Sequence, residues 1–268
     1  MTAIGHIALN VYRESVRDRV LYNLVFFALL IIGASYLIGQ LTAGQDVKII
    51  KDLGLAAIAL FGLFIAVFIG IGLVSKEVER RSVYALIAKP VRREALVAGK
   101  YAGLVLTLLV NVAIMVVVWY AVLAVMAWTT EPLLKAGWEA PAVDPRLLRA
   151  VALVFVELML VTAIALFFST FSTPIVSAAM TFGLYVAGHF AADLKNLGSI
   201  IKSPAAAMIG NGLYYVLPNL ASFDIKAEVV HGHDVPLRYL LISSGYGLLY
   251  IAALLLAAMF IFSRRDFK

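Results

Sequence analysis

Two groups of residues have the side chains that acid–base or metal chemistry needs. Glu157, His189 and Asp193 lie within or at the end of apolar runs, and His231-Gly232-His233-Asp234 lies in a polar stretch. A carboxylate beside an imidazole can hold or pass a proton. Ionisable groups inside a membrane usually face a cavity or a partner. Glu157 follows Ala150 by seven residues and His189 follows Pro174 by fifteen. At the helical rise that is about 10 Å below an outer end and about 22 Å above an inner end, so both fall in the outer third of the membrane. Asp193 is one turn beyond His189 on the same face. Two roles fit these three residues. They form a polar cluster on a substrate path or gate, or Glu157 is a paired structural acid and the other two sit at headgroup level. The two imidazoles at 231 and 233 are separated by a glycine, with no cysteine or acidic framework around them, and read as a solvated turn with no metal. The sequence has no G-x-x-x-x-G-K-[ST], no G-x-S-x-G and no H-E-x-x-H. It therefore offers no catalytic constellation and no phosphate-cradling loop, and is read as a non-enzyme with no cofactor of its own.

The elements that must carry these residues follow from composition. The chain has 268 residues, 63% hydrophobic and 14% charged, with mean hydropathy +0.97. Soluble domains carry about 25% charged residues, so this is an integral membrane protein. There is no cysteine, which excludes disulfides and thiolate chemistry. The net charge of +6 is clustered at the ends of apolar runs. That is membrane topology rather than a nucleic-acid patch.

The predicted fold is all-α with six transmembrane helices in a single domain, 20–268. The spans are about 20–41, 54–74, 101–128, 150–171, 175–192 and 239–262. Residues 1–19 are amphipathic, with Ile4, Ile7, Ala8, Val11 and Ser15 on one face, and form an interface helix. Thr42–Leu53 reads as a short polar turn. Gly62, Gly70 and Gly72 permit close helix contact, and Gly99 and Gly103 form a G-x-x-x-G pair that suits a packing face. Tyr120, Trp128 and Trp138 suit an outer aromatic belt. Ser172-Thr173-Pro174 is a tight inner turn with proline at a helix start. Between the last two spans, Ala205–Leu217 is apolar but too short to cross, so an interfacial or re-entrant outer helix is expected, weakened by Gly210 and Gly212. With both termini cytoplasmic, thirteen basic residues lie inside and nine outside, the sign that the positive-inside rule requires.

The stretch Lys76–Lys100 carries seven basic residues against three acidic ones. Charged residues cost about 2.5–3.5 kcal/mol each at the centre of a span, so this stretch faces water, on the cytoplasmic side. Val83, Leu86 and Ile87 fall at helical spacing and make a small apolar face. Glu79 and Ser82 suit a first turn, and Pro90 stops the helix at Lys89. The residues alone fit either a partner-docking helix or a solvated hairpin held by headgroups.

E-R-R-S-V-Y-A-L-I-A-K-P-V-R-R, followed by a G-K that opens the next apolar run, resembles the first cytoplasmic loop of type 2 exporter permeases of the ABC transporters. Glu79, Leu86, Pro90 and Arg93 match that family's pattern. Val83 and Tyr84 replace its Gly-Thr pair, and Ala88 replaces the usual Ser or Thr. The resemblance in layout covers nearly the whole chain. It implies that Glu79, Val83, Tyr84, Leu86, Ile87, Lys89, Pro90 and Arg93 couple the chain to a separate ABC ATPase subunit. It further implies two ATPase copies that bind ATP and Mg, a second permease subunit (homodimer or heterodimer), and a bacterial or archaeal plasma membrane. The function expected is ATP-driven export, with an apolar path suggesting a lipid-like or amphiphilic cargo. The alternatives are a secondary transporter, which requires inverted repeats and broken spans, and a lipid-modifying membrane enzyme, which requires clustered acids or histidines at one interface. No repeat or interrupted span is evident.

Overall fold

The computed structural model describes residues 3–41, 46–79, 93–191, 193 and 204–264. Among them all regular structure is helical. In order come α1 (Ala3–Ser15), α2 (Arg19–Gln40), α3 (Asp46–Glu79), α4 (Arg93–Thr129), α5 (Pro132–Lys135), α6 (Leu147–Ser169), α7 (Pro174–His189), α8 (Pro204–Val216), a 3-10 turn at Leu220–Phe223, α9 (Lys226–Val230) and α10 (Leu237–Arg264). Local chemistry sets several of these starts. The Asp18 carboxylate accepts the Val20 N–H at 3.0 Å and caps α2. Pro174 stands in the first turn of α7, where its missing N–H costs nothing.

Five helices are long and apolar enough to cross a membrane: α2, α3, α4, α6 and α10. The fifth predicted span is shorter than expected. Its helix, α7, has 16 residues and ends at His189. That is about 24 Å, against a hydrocarbon core of about 30 Å. The described helices thus give five candidate spans rather than six.

The polar turn predicted at Thr42–Leu53 is also corrected, because α3 begins at Asp46. Asp46, Lys48, Lys51 and Asp52 suggest a loop, but Val47, Ile50, Leu55 and Ile58 repeat at helical spacing and are buried. Even Lys51 is 1% exposed. Likewise α4 starts at Arg93, eight residues before the predicted span. A helix does form at Pro204–Val216, running through Gly210 and Gly212. Pro132–Lys135 forms a short helix within the expected outer loop.

The core centres on α6, most of whose residues are buried. It packs against α3, α4, α7 and α10. Gly62 of α3 receives the Leu158 side chain of α6, and Gly70 faces Ala165, so these two helices touch nearly backbone to backbone. Gly72, expected to do the same, faces open space. The G-x-x-x-G pair is a packing face, but for α1 rather than for another span. A Cβ on Gly99 would lie 2.8 Å from Ile7, and one on Gly103 would lie 2.6 Å from the Ala8 carbonyl. Val11 and Ser15, from the predicted apolar face of α1, are buried there, while Ile4 is exposed.

Candidate functional site

Glu157 lies on α6, ten residues from the helix start, and is 3% exposed. His189 is the last residue of α7, where a helix C-terminus favours positive charge. The sequence placed the two at similar depth, and the fold brings them together. His189 Nε2 lies 3.3 Å from Glu157 Oε1. The other ring nitrogen, Nδ1, lies 3.1 Å from the Tyr185 carbonyl one turn back. A carbonyl can only accept, so Nδ1 carries the hydrogen. The Nε2–Oε1 contact is an approach within ion-pair range rather than a hydrogen bond, since Oε1 has no hydrogen-bond partner among the described residues. The Tyr185 hydroxyl adds a hydrogen bond to Glu157, and its ring packs on His189 with centroids 4.5 Å apart. Asp193, the third residue of the predicted cluster, is exposed, and its N–H bonds the Phe190 carbonyl at 3.0 Å. Among the described residues it makes no ion pair with the other two. Tyr185 escaped the sequence reading because a tyrosine in an apolar helix looks like packing. Its place one turn before His189 is the signal that could have found it.

A cap covers this pair. The 3-10 turn Leu220–Phe223 packs on α6 and α7, and α9 packs on α3 and α6. Leu220 and Phe223 are fully buried. Leu220 and the Pro218 carbonyl each lie 2.8 Å from where a Cβ on Gly188 would stand, so the cap seats directly beside His189. On the other side α10 holds the cap. The Asn219 N–H donates to the Tyr246 hydroxyl at 2.8 Å, and the Tyr239 hydroxyl donates to the Ser222 carbonyl at 2.8 Å. Asp224 and Lys226 pair at 3.5 Å on the cap, near enough to Glu157 to act on it electrostatically. The cap thus meets the tip of α7, the middle of α6 and the start of α10.

Further out, three ties join the α5–α6 loop and the first turn of α6 to the segment before α10. Arg149 pairs with Asp234 and donates to the Val235 carbonyl at 2.7 Å, and Arg146 donates to the Gly232 carbonyl at 2.6 Å. His231 Nδ1 lies 2.8 Å from Glu139 Oε2. His231 therefore has a carboxylate partner, and no group of three metal-ligating side chains occurs among the described residues. The hydrogen bond from His231, helped by the charge of Lys48, holds the Glu139 carboxyl below its ordinary value of 4.5. A lowered folded-state value means that the tie is whole above 4.5 and is lost as pH falls through the lowered value. Thermal unfolding of the wild type and Glu139→Gln should therefore differ by a constant amount at neutral pH and converge below pH 4.5. A difference that persists into strong acid would refute the assignment.

Of the predicted coupling residues, Glu79 lies at the end of α3 and Arg93 at the start of α4. Val83, Tyr84, Leu86, Ile87, Lys89 and Pro90 lie outside the described residues.

Five candidate membrane helices, one of them the buried α6, with an acid–imidazole pair inside and a cap over it, define a polytopic helical membrane protein. Residues 6–267 match the family described as ABC-2 family transporter protein. The chain belongs to that family and is a membrane permease component of an ABC-2 type transporter. A comparison with curated proteins gave no match. Permeases of this family generally work with ATPase subunits.

Proposed function

We propose that this chain is the membrane half of an ATP-driven exporter, with six spans, both termini cytoplasmic, and residues 175–192 serving as the fifth span. Two permease copies and two ATPase copies make the complex, in a bacterial or archaeal plasma membrane. Residues 80–92 dock on the ATPase, with Val83, Leu86 and Ile87 seated in a groove and Glu79, Tyr84, Lys89, Pro90 and Arg93 setting register and orientation. ATP and Mg bind the partner, and the cargo is an amphiphile or lipid-linked molecule.

The observation that carries this reading is the length of two rods. α3 and α4 have 34 and 37 residues, about 51 and 56 Å, against a hydrocarbon core of about 30 Å. They flank residues 80–92, and each is unbroken over its length. A push on residues 80–92 therefore moves α3 as a rod. Leu158 sits in the Gly62 notch of α3, one residue from Glu157. Sliding α3 displaces α6 at that point and separates Glu157 from His189, which loosens the seat of the cap. α1, strapped to α4 at Gly99 and Gly103, follows the same movement. Interfaces packed this closely shift between discrete arrangements rather than deform smoothly.

The test is co-purification. Leu86→Asp and Ile87→Asp each bring an uncompensated charge to a buried docking face and should release the ATPase, whereas the volume-conserving Leu86→Met should retain it. Retention by both aspartate variants would rule out the docking role.

A further inference from the structure

The elbow between α1 and α2 and the adjoining face of α3 enclose a cavity of about 150 Å³. Its interior is apolar, walled by Leu21 and Leu24 of α2 and by Ile65 and Phe68 of α3. Its rim is polar, formed by Glu14, Ser15 and Asp18. Ser15 is 5% exposed, yet its hydroxyl has no hydrogen-bond partner among the described residues. A buried hydroxyl without a partner is costly and calls for one. Glu14 is exposed at the same rim and makes no ion pair among the described residues. Asp18 contributes negative charge there while capping α2. One wall is missing: Gly72 lines the cavity, and a Cβ built on it meets nothing within 4 Å.

We infer that this cavity is a binding site for a phospholipid with a primary amine head, of the phosphatidylethanolamine type, drawn from the leaflet on the α1 side. α1 is amphipathic, and such a helix lies at headgroup level, where this rim would meet lipid heads. The acidic rim matches an ammonium. The Ser15 hydroxyl meets a head that both donates and accepts hydrogen bonds. The apolar interior takes the start of an acyl chain. Exposed Arg13, Arg17 and Arg19 flank the elbow and suit the lipid phosphate. A choline head has no N–H to give Glu14 or Ser15, and a glycerol head has no positive charge, so both fit less well.

The experiment is native mass spectrometry of the full chain released from nanodiscs holding equal amounts of phosphatidylethanolamine, phosphatidylcholine and phosphatidylglycerol. The wild type should retain the ethanolamine lipid about tenfold over each of the others. Gly72→Phe places a ring in the cavity without displacing a neighbour at Cβ and should abolish the preference. Glu14→Gln, at an exposed position, should reduce it severalfold. Equal retention of all three lipids by the wild type would overturn the assignment. So would an undiminished ethanolamine preference in both variants, since the lipid would then be held elsewhere.

Discussion

Replacing Gly54 with alanine should leave a protein that unfolds about 10 °C lower, if it assembles at all. Gly54 stands on α3 opposite Trp119 of α4, and a methyl group there would fall on the indole ring. Trp119 is 0% exposed, so the ring has nowhere to go. Its Nε1–H donates to the Ile50 carbonyl at 3.1 Å, fixing α4 against α3 near the start of α3. Expelling the ring forfeits a large buried side chain, at about 3–5 kcal/mol, and orphans its N–H. At about 2–4 °C per kcal/mol for a chain of this size, the loss is of the order stated. A second variant separates the clash from any effect on helix propensity. With Trp119→Ala already in place there is no ring to strike, so adding Gly54→Ala should cost nothing more and should gain slightly from alanine's better propensity. Wild-type thermal stability in Gly54→Ala alone would show that the ring is not seated there.

That contact also marks what the sequence could disclose. Trp119 sits within a long apolar run and looks like any aromatic of a span, while Tyr120, the next residue, was read as part of the outer belt. The structure turns Trp119 fully inward, leaves Tyr120 half-buried with its hydroxyl donating to the Asp144 carbonyl at 2.9 Å, and leaves Trp128 87% exposed. Hydropathy locates membrane helices because the lipid forbids unsatisfied backbone. It cannot say which face of an all-apolar helix turns inward, because every face is apolar. Glycines carried part of that information. Gly62 and Gly70 read as contact sites and are, whereas Gly72, of the same type and on the same helix, faces open space. Helix ends were misread where charge and helix coincide. The run from Asp46 to Asp52 has four charged residues in seven and reads as a loop, yet it is the outermost part of α3. A helix carries charges at little cost wherever it rises beyond the hydrocarbon, and composition alone does not mark that level. For the site, Glu157 and His189 could be matched by depth because each is a rare ionisable group in an apolar run. Arg149, in the first turn of α6, and Asp234, in the segment before α10, are eighty-five residues apart and had no such signal.

The other large effect concerns the Glu157–His189 pair, and it distinguishes a gate from a merely structural acid. Removing one partner of a buried pair strands the other and costs about 3–5 kcal/mol. Glu157→Leu and His189→Leu should each destabilise the permease and, if the pair locks the cap, leave ATP hydrolysis by the assembled complex uncoupled from export. Replacing both by leucine removes the stranded charge, and buried pairs exchanged for apolar residues often regain stability in full. The double variant should therefore unfold near the wild-type temperature. A structural pair predicts that export returns with stability. A lock predicts that it does not, because α6, α7 and the cap have lost the interaction that distinguishes closed from open. Glu157→Gln sharpens the test. It keeps the shape and an acceptor for the Tyr185 hydroxyl, but it has no negative charge to set against His189. Assembly should survive and export should fall about tenfold or more, the change expected when a charge-assisted contact is lost in one of two states. If Glu157→Gln exports at the wild-type rate and the double leucine variant is restored in both stability and export, the pair only holds α6 to α7, and the control of the cap must be sought where it meets α10, at Tyr239 and Tyr246.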